Sequence, residues 1–216
     1  MKKPRVLIAD DHSILVAGLR KLVEDRCEVV GTVADGRALV EAADRLKPEL
    51  ILLDISMPLL NGLDAARQIK KALPEAKLLF LTMHASPTYA TEAMKAGASG
   101  YLLKQSAATE LPQAIEAALK GQTYLTPAMT KTVLETALRP KEAELKSSVM
   151  DLTPRQREVL QLIAEGKSPK EAAVILNVSV KTVEFHKARI MEQLDLHSTP
   201  ALIKFAIAEG LASAES

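Results

Sequence analysis

Between Arg5 and Lys120 the chain passes five times from a short apolar, β-rich run to a segment of helical period, and that alternation constrains the fold more than any other feature. The runs are Arg5–Ala9, Glu28–Val33, Leu50–Leu53, Lys77–Leu81 and Gly100–Leu103. They are close to continuously apolar rather than alternating, which is the pattern of strands buried on both faces. Parallel strands need a long crossover, and a helix after each strand supplies it. The expectation is a doubly wound α/β domain with a five-stranded parallel sheet. Gly97, Gly121 and Pro74 read as helix stops.

After Gly121 the pattern changes. Thr126-Pro127 reads as an N-cap followed by proline at the first helical position, opening a helix to about Leu138 that Arg139-Pro140 breaks. Lys141–Met150 is polar and without period, so 121–150 reads as a linker containing one helix. From Asp151 onward every segment looks helical. Thr153-Pro154-Arg155-Gln156 and Ser168-Pro169-Lys170-Glu171 are capping boxes with proline at the first turn, Ser179 marks a third start, and Thr199-Pro200 a fourth. The division is therefore 1–120, 121–150 and 151–216, the last a small all-α domain of four helices.

Composition removes several functions. The longest apolar stretches, such as Leu78–Leu81, fall far short of the roughly 18 residues of a membrane span. The run Val6–Ala9 stops at two aspartates, too early for a secretory core of about 7 residues or more, so a cytoplasmic protein with no membrane partner is expected. The single cysteine, Cys27, reads as a small buried hydrophobe. No metal-ligand spacing joins His12, His186 and His197, so no transition-metal site is expected.

In open α/β sheets ligands bind beyond the carboxyl ends of the strands. There the first run ends in Asp10-Asp11, the third in Asp54 and the fourth in Thr82, and the fifth is followed by Lys104. Carboxylates brought together repel unless a cation joins them. Mg²⁺ suits such a set, taking a few carboxylates and keeping waters and phosphate oxygens for its remaining positions. A carboxylate can also attack phosphorus, so the group is equipped to accept a phosphoryl group, with Asp54 as acceptor.

Asp10-Asp11, Asp54 with Met57-Pro58 and Asn61-Gly62, Thr82, and Gly100-Tyr101-Leu102-Leu103-Lys104 together resemble the receiver domain of two-component response regulators, a flavodoxin-like fold. The resemblance covers essentially all of 1–120. It implies that Asp54 takes phosphate from a cognate histidine kinase. Asp11, Asp54 and the backbone carbonyl of Ser56 would then ligate Mg²⁺, with Asp10 acting through water. It also implies that Lys104 and Thr82 bind the phosphoryl group and that Tyr101 is the switch aromatic. Gln105 stands where many receivers have proline. Leu59-Leu60 reads either as a contact surface or as local packing. His84 reads either as a neighbour of the phosphate or a partner, or as a solvated loop residue.

Ser168–Leu176 and Val180–Leu194, joined by Asn177-Val178-Ser179, form a helix-turn-helix pattern. With Leu152–Leu160, Glu165–Ser168 and Lys181–His186, this region resembles the LuxR-type DNA-binding domain, and the whole chain resembles NarL/FixJ-type response regulators. Val183, Ile190 and Leu194 should face the core. By the resemblance, Glu184, Phe185 and Ala188 meet base edges of double-stranded DNA, while Lys181, Thr182, Lys187 and Arg189 hold phosphates. Residues 151–216 hold eight basic and nine acidic residues, so one copy lacks the usual basic footprint and a homodimer formed on phosphorylation is expected. The side of the last helix bearing Leu202, Ala206 and Glu209 reads as a dimer surface or as core. Asp195 stands where the family often has a capping glycine.

The resemblance implies a transcription regulator rather than an enzyme, with RNA polymerase as a further partner. An aspartate-nucleophile phosphohydrolase would need a second acid two residues after Asp54, where the chain has Ser56. A phosphorylation-independent regulator, or a protein- or RNA-binding module, remains the alternative.

Overall fold

The structure, a computed structural model of the chain, describes residues 2–138 and 148–212, the side chains of 136–138 excepted, and the chain divides into two compact units. The expected break at Arg139-Pro140 and the polar stretch as far as 147 lie outside the described residues.

In the first unit the apolar runs become β1 (Arg5–Ala9), β2 (Glu28–Val33), β3 (Leu50–Leu53), β4 (Lys77–Thr82) and β5 (Gly100–Leu103). The intervening segments become α1 (Ser13–Val23), α2 (Gly36–Leu46), α3 (Gly62–Ala72), α4 (Pro87–Lys95) and α5 (Ala107–Leu119). All pairings are parallel, in the order β2-β1-β3-β4-β5 with a sixth strand, β6 (Tyr124–Leu125), at the outer edge. The doubly wound expectation holds. Successive strand residues point to opposite faces, and both sets are buried. Val6, Ile8, Leu50, Leu52, Leu79 and Leu81 pack with α1 and α5, while Leu7, Ile51, Leu53 and Phe80 on the other face are equally inaccessible.

The sheet has one strand more than the five expected. β6 (Tyr124–Leu125) pairs with the outer edge of β5, and two residues are too few to show a period in the sequence. It leads into α6 (Pro127–Leu138), which begins where Thr126-Pro127 predicts. The Thr126 hydroxyl is used differently from the expected cap. It donates to Glu110 Oε2 at 2.8 Å and accepts from the Leu103 amide at 3.3 Å, tying β6 to α5 and β5. Because α6 packs beside α4, much of the segment read as a linker belongs to the first unit.

The second unit is built on α7 (Pro154–Ala164), α8 (Pro169–Leu176), α9 (Val180–Gln193) and α10 (Thr199–Ala208). Both capping boxes form as read: Thr153 with Gln156, and Ser168 with Glu171. Ser179 caps α9 through the Thr182 amide at 3.1 Å. α10 starts one residue earlier than expected, since Ser198 rather than Thr199 accepts from the Ala201 amide. A short turn of 3-10 helix at Val149–Asp151 carries a further capping box from Ser148 and buries Val149 in this unit's core. The reading of α10 as a dimer surface is not borne out by its apolar members. Leu202 and Ala206 are fully buried in the core, and Glu209 accepts from the Ser148 hydroxyl and the Val149 amide, both at 3.1 Å.

Candidate functional site

β1 lies between β2 and β3, so the connections on its two sides run in opposite senses and open a crevice beyond the carboxyl ends of β1 and β3. Asp10 and Asp11 follow β1, Asp54 follows β3, Thr82 ends β4 and Lys104 follows β5. Asp10, Asp54 and Lys104 are drawn into direct contact. The Lys104 ammonium lies 2.8 Å from Asp10 Oδ2 and 2.7 Å from Asp54 Oδ2, with all three side chains almost wholly removed from solvent. The Asp54 carboxylate also accepts the Ile55 amide at 2.6 Å.

These contacts set the charge balance. Burial pushes the Asp54 carboxyl above its ordinary value; Lys104 and the Ile55 amide pull it back and Asp10 pushes it up again, leaving a net rise. For Lys104, burial favours the neutral amine, but Asp54 and Asp10 outweigh it and hold the ammonium above its usual range. Asp54 is therefore a carboxylate short of compensation, held beside a firmly protonated lysine.

Gly62 explains why α3 starts where it does. A Cβ there would stand 1.9 Å from the Asp54 carbonyl oxygen, so only glycine lets the helix start against the Asp54 backbone.

One ligand atom each from Asp10, Asp11, Asp54 and His12 falls within a set spanning 4.8 Å. Three of the four residues offer hard carboxylate oxygens, the chemistry that Mg²⁺ takes, so the donor set fits that ion. Asp11 is one-third exposed and leaves the set open to solvent. Ser56, whose carbonyl the sequence reading adds, uses its hydroxyl elsewhere, 2.8 Å from His84 Nε2.

His84 is not a solvated loop residue. Its ring is held by Ser56 and stacked on Tyr89 with centroids 5.1 Å apart, and its backbone joins two other candidates. Its amide donates to Thr82 Oγ1 at 3.2 Å and its carbonyl accepts from the Tyr101 hydroxyl at 2.7 Å. Tyr101 is fully buried and turned inward, and burial drives its phenol far above the ordinary value. The Lys104-Gln105 peptide is trans. Sequence reasoning missed the Ser56–His84–Tyr89 group because its members are 28 and 5 residues apart and carry no spacing rule.

The second candidate surface lies on α9. Val183 and Ile190 are buried and Leu194 nearly so, as the apolar stripe predicts. Lys181, Glu184, Phe185, Ala188 and Arg189 are exposed, and Thr182 and Lys187 are half-buried. Phe185 is 57% exposed, a large apolar ring in water. The Arg189 guanidinium lies 5.6 Å from its centroid and pairs with Glu192 at 2.9 Å. The turn into α9 passes through Asn177 with φ of 51°, and Asp195 beyond its end has φ of 53°, the left-handed conformation that a capping glycine would take.

Comparison with known proteins finds two regions of similarity. Residues 6–116 match the response regulator receiver domain, and residues 150–206 match the bacterial regulatory proteins of the luxR family. The transcriptional regulatory protein MctR of Rhizobium johnstonii is 35% identical over 213 residues, covering 98% of this chain and 96% of that protein. The oxygen regulatory protein NreC of Staphylococcus epidermidis is 36% identical over 214 residues, covering 96% and 98%. The RcsB response regulator of Salmonella typhimurium, solved in work on its conformational dynamism for DNA interaction, matches with TM-score 0.67 and 30% identity over 97% of this chain and 99% of that one. RcsB solved in complex with DNA matches with TM-score 0.60 and 30% identity over 96% and 99%.

Proposed function

The chain belongs to the NarL/FixJ-type two-component response regulators with a LuxR-type DNA-binding domain, and from that premise we propose that phosphorylation of Asp54 by a histidine kinase controls its dimerisation and its sequence-specific binding to DNA. It is a transcription regulator and not an enzyme. Residues 1–120 act as the receiver, 121–150, packed on it through β6 and α6, as the connection, and 151–216 as the DNA-binding domain. The place of action is the cytoplasm, and RNA polymerase is the further partner of the DNA-bound form.

The observation that carries this reading is the Lys104 ammonium held 2.8 and 2.7 Å from two buried carboxylates. An Asp54 oxygen attacks phosphorus. An O–P bond forms as the P–N bond of the kinase phosphohistidine breaks, and the imidazole nitrogen keeps the electron pair. Lys104 already bonds to Asp54, so a small shift brings its ammonium onto a phosphoryl oxygen. The Thr82 hydroxyl donates to another. Asp10, Asp11, Asp54 and the Ser56 carbonyl would hold Mg²⁺, which when bound neutralises charge on the phosphoryl oxygens.

Thr82 and Tyr101 meet at the two backbone polar groups of His84, its amide and its carbonyl. Drawing the Thr82 hydroxyl to a phosphoryl group releases the His84 amide, and so acts on the residue that the inward Tyr101 holds. The response is a shift between two receiver states, limited by how differently they bind the phosphoryl group. On α9, Glu184, Phe185 and Ala188 read base edges, and Lys181, Thr182, Lys187 and Arg189 hold phosphates. Glu184 suits cytosine N4 and Phe185 suits a thymine methyl.

The test is intact-protein mass after incubation with Mg²⁺ and a small-molecule phosphodonor, beside Asp54→Ala, followed by sedimentation and DNA footprinting. One phosphate adduct on the wild type alone, with dimerisation and a footprint that strengthen together, is expected. No adduct, or a footprint indifferent to the adduct, would leave a phosphate-independent regulator.

A further inference from the structure

One donor in the acidic crevice is not an oxygen. His12 Nδ1 lies 2.8 Å from Asp11 Oδ1 and 3.1 Å from Asp10 Oδ1. Adjacent ligand atoms on an octahedral cation with bonds of roughly 2.1 Å stand about 3.0 Å apart. The His12–Asp11 spacing matches that edge, and in the absence of an ion both spacings are those of a hydrogen bond from Nδ1 to a carboxylate. The same nitrogen falls within the 4.8 Å set that includes an Asp54 oxygen.

The ring is held there by the chain. His12 is the residue before α1, with extended backbone at φ −88° and ψ 94°, and its amide donates to Asp10 Oδ1 at 2.9 Å. Its side chain makes no capping hydrogen bond to α1, the ordinary employment of a polar residue at that position. The ring is 66% exposed: Nδ1 donates to the carboxylates when it carries the proton, and with the proton moved to Nε2, which is left to water, the same nitrogen is placed to give its lone pair to a cation between them.

We infer, on the reading that this crevice holds a divalent cation, that His12 is a further metal ligand through Nδ1 and shifts the preference of the site from Mg²⁺ toward Mn²⁺ and later first-row ions. Mg²⁺ takes oxygen and gives up its waters reluctantly, so an added imidazole gains it little. First-row transition ions bind imidazole with affinities that rise along the series from Mn²⁺. Histidine spacing along the chain carries no sign of this, because the other ligands are carboxylates supplied by two different strand ends.

The experiment uses the full chain at one fixed pH. Mn²⁺ binding is followed by the loss of the free-ion EPR signal, Mg²⁺ is measured by competition, and pulsed EPR of the Mn²⁺-loaded protein reports directly bonded nitrogen, with ¹⁵N-histidine labelling to identify it. The expected result is a histidine nitrogen coupling in the wild type that disappears in His12→Ala. With it, Mn²⁺ affinity should fall about tenfold or more while Mg²⁺ affinity changes far less. No nitrogen coupling in the Mn²⁺-loaded wild type would overturn the assignment without any variant. Equal loss of both ions in His12→Ala would also overturn it, since His12 would then act only as a charge partner of the two aspartates. If the wild type binds neither ion, the crevice itself is not a cation site, and the phosphodonor experiment fails with it.

Discussion

The crevice of the first unit and the exposed face of α9 both depend on a few charged side chains, but they hold them in opposite ways. In the crevice, Asp10, Asp54 and Lys104 are almost fully buried and fix one another at 2.7–2.8 Å. On α9, the Arg189–Glu192 pair stands at 58% and 71% exposure, and Lys181 and Glu184 face solvent. Buried charges have few alternatives, so their geometry exists before any ligand arrives. Exposed charges are weakly coupled to the fold and take their final positions on the partner. The receiver's chemistry is thus built into its stability, whereas DNA recognition can change without disturbing the fold.

The largest test of this contrast is Lys104→Ala, which leaves two buried carboxylates facing each other. It should lower stability by about 3 kcal/mol in urea unfolding without divalent ions, with part restored by Mg²⁺. A loss under about 0.5 kcal/mol would mean that the crevice behaves like a surface. On α9, Lys181→Ala should weaken binding to all DNA sequences alike and reduce the salt slope by about 0.9. Glu184→Ala should instead lose roughly 1–2 kcal/mol of discrimination at one base pair, read by anisotropy on single-substitution operators. Both should leave unfolding stability within about 0.5 kcal/mol.

His84 gives the contrast a pH dependence. Burial pushes its imidazole below the ordinary 6.5; the Asp54 charge works against this and Lys104 adds to it. The folded state therefore binds fewer protons at this ring than the unfolded chain does, and stability is lost as pH falls through 6.5 toward the lowered folded value. In paired unfolding series, His84→Asn should remove that slope, and an unchanged slope would place the titration elsewhere. The smallest effect is at Asp195. With φ of 53°, Asp195→Gly should relieve backbone strain and raise stability by about 0.5 kcal/mol, without altering DNA affinity.

The features legible in the sequence were those that obey a repeated rule. Asp10, Asp54, Thr82 and Lys104 each follow or end an apolar run, and a parallel sheet brings such ends to one edge. The boxes at Thr153 and Ser168 are chemical marks of a helix start, and they form as read. What stayed hidden depends on contacts rather than pattern. β6 is two residues long, and the Thr126 hydroxyl looked like a cap until Glu110 and the Leu103 amide were beside it. His84 has no neighbour in sequence that predicts Ser56 or Tyr89. The side of α10 with Leu202 and Ala206 fits a core and an interface equally well by period, and only the packed unit decides between them.

The ion triad also orders events while the chain is being made. Asp54 and Lys104 are 50 residues apart, and β4 and α4 lie between them. At synthesis rates of about 5–20 residues per second, several seconds separate the appearance of the second carboxylate from that of its counter-charge. A nascent receiver that has closed only β1, β2 and β3 carries Asp10 and Asp54 with no ammonium between them. The crevice cannot reach its final charge balance until β5 has docked, so the pairing of Lys104 reports that the sheet is built as far as its fifth strand.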